Sequence, residues 1–275
     1  MTTPYRPQPP RSLERPQERP QERTPGPRPK PADLDKVCGV AAVQAVFAAR
    51  PDAVQRLFYL PTRREVAGPL CARLAKLRRV YREVGPEELG KIAGTPHHGG
   101  IVAIVTPRGL PELPLPPGPV LEQLRAAGPL LPVLDAVGNP HNLGAIARSA
   151  AFFGARAMIL SGDPRQAGLS DAAARTSEGG LEYLSLYRAP NLPATLRALA
   201  PAFLTVAAVA EGGVPPEELP RDRPIALVLG NEEVGLDAAS IGACEAKVTL
   251  PGSGAVQSLN VSVAAAVLIH ALSRR

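Results

Sequence analysis

Apolar residues gather into short runs separated by polar turns along this chain of 275 residues. From Asp33 onward, Val37 to Ala49 reads as a helix with small residues and Arg56 to Leu60 as a strand. Val66 to Leu77 then reads as a helix and Ile101 to Val105 as a strand, so this part predicts a compact α/β unit. Beyond a proline-rich break the strand candidates are Leu131 to Val137, Ala155 to Leu160, Tyr183 to Arg188, Phe203 to Val209, Ile225 to Leu229 and Lys247 to Leu250. Helical segments separate most of them. Apolar strands alternating with helices predict an α/β fold with a mainly parallel sheet covered on both faces. In such sheets ligands sit beyond the carboxyl ends of the strands, so the loops after Val137, Leu229 and Leu250 are where chemistry is expected.

Composition adds boundaries to this pattern. Met1 to Pro31 holds ten of the 33 prolines, seven Lys or Arg and three Glu, so it carries four of the six formal positive charges. Its Arg-Pro-Gln-Glu repeat has nothing to bury, which predicts a disordered tail over 1–31. A first domain is expected over 32–106, a proline-rich linker over 107–127 and a second domain over 128–275. Between Lys91 and Gly100 an apolar turn and His97-His98-Gly99-Gly100 lead into the Ile101 strand. Cys38, Cys71 and Cys244 form no Cys-x-x-Cys pair, and the four histidines add no ligand spacing, so neither a metal nor a disulfide framework is expected. The longest apolar run, Val261 to Leu272, falls short of the roughly 20 residues that cross a bilayer. The expectation is a reduced, soluble, cytoplasmic protein.

Three loops carry candidate chemistry. In Gly138-Asn139-Pro140-His141-Asn142-Leu143-Gly144-Ala145-Ile146-Ala147-Arg148 a strand turns tightly into a helix, placing Asn142 at the helix start and Arg148 one turn after Gly144. A helix N-terminus with a nearby guanidinium is suited to phosphate; the blander account makes Asn142 an N-cap, Gly144 a packing glycine and Arg148 a surface charge. The second loop, Leu229-Gly230-Asn231-Glu232-Glu233-Val234-Gly235-Leu236, has glycines that admit a ligand close to the backbone. It matches neither the dinucleotide nor the Walker glycine pattern, which counts against nicotinamide or triphosphate chemistry. The third loop runs from Leu250 and Gly254 through Ser258, Leu259 and Asn260 into a helix apolar nearly all round, with Ser258 as candidate N-cap. Asn260 and Ser262 beside such a buried helix need polar partners.

Together, Asn-x-Gly-x-x-x-Arg, Leu-Gly-Asn-Glu-x-x-Gly-Leu and Leu-Pro-x8-Asn-Val-Ser-Val-Ala resemble, in residues, order and spacing, the three motifs of the SpoU/TrmH (SPOUT) family of RNA 2′-O-ribose methyltransferases. The proline tail, the double histidine and Asn-Pro-His-Asn-Leu-Gly look most like its YfiF-type branch, although Asn139 stands where many relatives have an acidic residue. The resemblance implies a C-terminal trefoil knot, a small ribosomal-protein-like substrate-binding domain upstream, and a homodimer with its active site near the interface. It implies S-adenosylmethionine as methyl donor, with transfer or ribosomal RNA as substrate. By the same resemblance Leu229, Gly230, Asn231, Leu250, Gly254 and Leu259 hold the cofactor, while Asn142, Arg148, Glu232, Ser258 and Asn260 form the polar catalytic set. Within it, Arg148, placed by Asn142, would polarise the 2′-hydroxyl or an adjacent phosphate. A catalytically silent RNA-binding or assembly protein that keeps the fold is the alternative.

Overall fold

The structure, a computed structural model, describes residues 34–273; the tail expected to be disordered lies outside the described residues. The chain forms two sheets. The first has β1 (Asp35–Cys38), α1 (Val40–Ala49), β2 (Val54–Tyr59), α2 (Arg64–Lys76), β3 (Val80–Glu83), α3 (Pro86–Ala93) and β4 (Ile101–Val105), with strand order β1-β4-β2-β3. Only the β2–β3 pair is parallel. Three elements here differ from expectation. The expected helix from Val37 starts instead at Val40, because Gly39 at φ +94° breaks a strand from a helix. The exposed strand β3 has too few apolar residues to announce itself, and α3, which no reading marked, runs into the first residues of the expected apolar turn at Lys91.

The second sheet is wholly parallel, in the order β10-β8-β9-β5-β6-β7. Its elements run α4 (Gly118–Ala126), β5 (Leu130–Leu134), α5 (Pro140–Phe152), β6 (Ala157–Ser161), α6 (Asp171–Ser177) and β7 (Ser185–Ala189). There follow α7 (Leu192–Leu199), β8 (Leu204–Ala208), β9 (Ile225–Leu229), α8 (Ala238–Gly242), β10 (Ala246–Val248) and α9 (Val261–Ser273). One face packs α5, α6 and α9 through Leu134, Leu143, Ile146 and Ile269; the other packs α4 and α7 through Leu124, Leu196 and Phe203. The strands read as continuous apolar runs because both faces are covered. Within the stretch expected to be pure linker, α4 begins as the prolines end, since proline is tolerated in a helix's first turn.

Two tertiary features frame the site. Helix α9 touches β5, β9 and α5, and also the 3₁₀ turn Pro216–Glu218 in the β8–β9 connection; Arg221 of that connection donates to the carbonyls of Ala271 and Leu272. The first sheet docks against the second through α1. A Cβ on Gly179 would lie 2.6 Å from Ala45 Cβ, and Arg50 makes a two-pronged pair with Glu182 at 2.7 and 3.0 Å.

Candidate active site

The turn after β5 is shaped by polar contacts that its sequence requires. Ala136 adopts φ +57°, unusual for a residue with a side chain, and its amide donates to Ser161 Oγ at 3.0 Å. Asn139, not Asn142, caps α5, its Oδ1 accepting from the His141 amide at 2.8 Å with Pro140 in the first turn. Asn142 is thereby free for another role. It is buried, and its Nδ2 donates to Glu232 Oε1 at 2.7 Å. Gly144 is a packing glycine, since a Cβ there would come within 2.5 Å of the Ala173 carbonyl oxygen on α6.

Glu232 gathers the orphan donors at the start of α5. Besides Asn142, the amides of Gly138 and Asn139 donate to its two carboxylate oxygens, each at 3.2 Å. An anion at a helix N-terminus is favoured by the exposed N–H groups and the helix dipole. Burial alone would raise the Glu232 pKa, but these hydrogen bonds prevail and hold it below the ordinary glutamate value. Its neighbour Asn231 braces the loop. The Asn231 Oδ1 accepts from the amides of Glu233 and Val234, and its Nδ2 donates to the Ala136 carbonyl at 2.8 Å, so its side chain braces the loop against the turn after β5. Gly230 likewise serves its own loop: a Cβ would meet the Leu236 nitrogen at 2.5 Å.

The third motif joins from α9. Asn260, rather than Ser258, caps this helix, its Oδ1 accepting from the amide and hydroxyl of Ser262 at 2.9 and 2.6 Å. The remaining Asn260 Nδ2 donates to Asn142 Oδ1 at 3.3 Å. One residue from each of three distant loops therefore meets in the chain Glu232–Asn142–Asn260. Ser258 stands in the exposed stretch just before the cap.

Arg148 does not join this chain, which corrects the expectation that Asn142 places it. Six residues separate the two, about 240° around a helix, and Arg148 is exposed with its guanidinium 3.1 Å from Glu178. It shares its face of α5 with Phe152, four residues on and 82% exposed.

The loop expected to hold the cofactor is open. Residues 251–260 are all exposed, Leu250 is half-buried, and Gly254 sits at φ +81° with open space where a side chain would stand. Val256 and Leu259 expose 72% and 50% of their surface, apolar side chains in the same loop that suit the faces of a purine. These residues fit the adenosine part of S-adenosylmethionine. Thr249, which no pattern singled out, ties this region to the β8–β9 connection: its hydroxyl donates to the Val209 carbonyl and accepts from the Gly213 amide. Asp135 was also unassigned, though a lone acid in Leu130-Leu131-Pro132-Val133-Leu134-Asp135-Ala136-Val137 is a legible signal.

Comparison with known proteins agrees with this geometry. Residues 129–270 match the profile of the SpoU rRNA Methylase family, and residues 36–111 match one described as RNA 2′-O ribose methyltransferase substrate binding. The chain is 33% identical over 243 residues to the 23S rRNA (guanosine-2′-O-)-methyltransferase RlmB of Acinetobacter baylyi, covering 86% of this chain and 96% of that one. It is 32% identical over 244 residues to the uncharacterized tRNA/rRNA methyltransferase YfiF of Escherichia coli O157:H7, covering 86% and 67%. Among solved structures, the SpoU methyltransferase AviRb from Streptomyces viridochromogenes superposes with TM-score 0.70 at 25% identity over 88% of this chain and 90% of that one. A family profile spanning the whole second sheet, with relatives a third identical over most of the chain, shows that this protein belongs to the SpoU family of S-adenosylmethionine-dependent RNA 2′-O-ribose methyltransferases.

Proposed function

We propose that the chain methylates a ribose 2′-hydroxyl of ribosomal or transfer RNA, as a homodimer in the cytoplasm, and that the meeting of Glu232, Asn142 and Asn260 is its catalytic centre. The observation that carries this reading is that chain of hydrogen bonds, which brings the three motif loops together beside the open, apolar-lined stretch 251–260. A silent binding protein would have no use for so complete a polar arrangement.

S-adenosylmethionine, when bound, supplies an activated methyl group on a positively charged sulfur. The ribose oxygen forms its bond to the methyl carbon as the carbon–sulfur bond breaks, and the hydroxyl proton leaves to a nearby acceptor. Alignment is most of the catalysis, worth roughly 7 to 11 kcal/mol when both partners are held in a near-attack pose. Glu232 is a positioning residue in this scheme, fixing the Asn142 amide by its short contact. Asn260 and the exposed Ser258 hydroxyl approach the ribose, and the backbone at Leu229, Gly230, Leu250, Gly254 and Leu259 receives the cofactor.

The exposed Phe152 on α5 and Val263 and Val267 on α9 favour dimer formation through these helices. Arg148 then lies at the interface, beside Phe152, and acts there on the hydroxyl or a phosphate. The packing of α9 between the sheet and the Pro216–Glu218 turn supports a C-terminal trefoil knot, with the β8–β9 connection as the loop that is threaded. The 32–106 region would select RNA, 107–127 connect it to the 128–275 catalytic domain, and the 1–31 tail add only salt-sensitive attraction.

Incubation of the full chain with labelled S-adenosylmethionine and total RNA, followed by nucleoside mass spectrometry, tests the activity; a 2′-O-methylated nucleoside is expected. Arg148→Ala should lose methyl transfer while keeping cofactor affinity by calorimetry. Normal turnover by that variant would reduce Arg148 to a surface charge.

A further inference from the structure

The unit built on the first sheet docks on α6 of the second and on the residues that follow it, 178–183. Within that stretch Gly179 and Gly180 act as a spacer without side chains. A Cβ on Gly179 would lie 2.6 Å from Ala45 Cβ on α1, and one on Gly180 would lie 2.8 Å from Arg148 Cα on α5. The stretch is thus wedged between α1 of the first unit and the backbone of Arg148. Glu178, just before the glycines at φ +44°, pairs with the Arg148 guanidinium at 3.1 Å. Glu182, just after them, takes two cations from the first unit. Arg50, which ends α1, reaches its two carboxylate oxygens at 2.7 and 3.0 Å, and Arg108, which follows β4, lies 3.7 Å from one of them. Arg108 also donates to the carbonyls of Leu181 and Leu184, and Arg50 to that of Thr106.

This cluster differs from a surface ion pair. The side chains of Glu182, Arg50 and Arg108 are 10%, 22% and 20% exposed, so without Glu182 two poorly hydrated cations of the first unit would face a neutral surface, which favours undocking into water. An exposed pair such as Glu112 with Arg188 contributes little by comparison. Apolar packing alone does not fix the docking, because a cavity of about 50 Å³ lies between Val37 and Ala42 on one side and Leu169 and Ala174 on the other. Resting on the reading above, in which 32–106 selects RNA and Arg148 acts on the hydroxyl or a phosphate, we infer that Glu182 is a positioning residue for methyl transfer: by holding Arg50 and Arg108 it sets the orientation in which the first unit delivers RNA to Arg148. A two-pronged contact between a planar guanidinium and a carboxylate fixes orientation as well as distance. Such alignment acts on the rate, since a displacement of about 1 Å arising far from the chemistry costs up to about a hundredfold.

The test compares the full chain with its Glu182→Gln variant in methyl transfer to total RNA, in calorimetry with S-adenosylmethionine and in hydrogen exchange. The kcat of the variant should fall roughly ten- to a hundredfold, while the RNA KM changes little and the cofactor affinity equals that of the parent. Exchange should quicken over 178–184 and the end of α1, where the docking loosens. A role confined to the stability of the second unit would instead weaken cofactor binding together with kcat. Glu182→Asp keeps the charge with a shorter reach and should recover part of the kcat, whereas Glu112→Gln should match the parent. Arg50→Gln, made on the opposite side of the contact, should reproduce the same split between kcat and KM, and it decides alone if Glu182→Gln does not fold. A parental kcat in Glu182→Gln, a loss of cofactor affinity that accompanies the fall in kcat, unchanged exchange, or an equal loss in Glu112→Gln would each overturn the inference and leave the methyltransferase reading intact. A parent that methylates no RNA overturns both.

Discussion

The loop after β9 and the loop after β10 contribute to one site, yet the first is closed on itself and the second is open. In Gly230–Leu236, Asn231 and Gly235 exchange backbone hydrogen bonds at 3.0 Å, Asn231 holds two further amides, and Glu232 holds the start of α5. In Leu250–Leu259, among the described residues, the one side-chain hydrogen bond is from the Ala255 amide to Ser253 Oγ at 3.3 Å. The difference divides labour. On the proposed reading, groups that position the reacting oxygen would be fixed beforehand, which spares their reorganisation during the reaction. On the same reading, the loop that receives the cofactor would keep its donors and acceptors open until it arrives.

The largest effect should come from the closed loop. Glu232→Ala removes the acceptor for Asn142, Gly138 and Asn139, and kcat should fall roughly 10²- to 10³-fold with cofactor affinity nearly unchanged. A normal kcat would show that the fixed cluster is not the reaction centre. Next, Gly230→Val drives a side chain against the Leu236 nitrogen and should destabilise the fold by about 1 to 3 kcal/mol in urea titration. Gly252→Ala, in open space, should stay within about 0.5 kcal/mol. Similar losses at both positions would erase the contrast between the loops.

Hydrogen exchange probes the contrast without substitution. S-adenosylmethionine should slow exchange across 251–259 several-fold and leave 230–236, already hydrogen-bonded, nearly as it was. The smallest effect is on pH dependence. Because the Glu232 pKa is lowered on folding, its stabilisation is complete above the unfolded value of 4.5 and disappears as pH falls through the lower folded value. Parent and Glu232→Gln should therefore differ in stability at pH 7, begin to approach each other below pH 4.5 and converge only below the lower folded value, as thermal unfolding would record.

Much of this was legible in the chain. The parallel sheet could be read because strands such as Ile225–Leu229 are buried on both faces and so apolar throughout. Glu232, Asn142 and Asn260 meet at the carboxyl ends of the strands because a parallel sheet leaves those ends to loops alone. Less legible were β3, whose residues are mostly exposed, and the two helix caps. Asn139, Asn142, Ser258 and Asn260 all have side chains able to cap, and periodicity cannot choose among neighbours.

The sequence by itself determined the element types, the family motifs and the residues from which the site is drawn, since these depend on local periodicity and on residue chemistry. The tertiary structure alone decided which side chains face one another. It joined Glu232 to Asn142 across 90 residues and Asn142 to Asn260 across 118, and turned Arg148 toward Glu178 on another face of the same helix. It also buried Asp135 beside a cavity, held by Ser240 and the Asp237 amide. Such pairings arise when distant loops share the carboxyl edge of one sheet, and their sequence separation is set by the crossovers between strands, which no local pattern records.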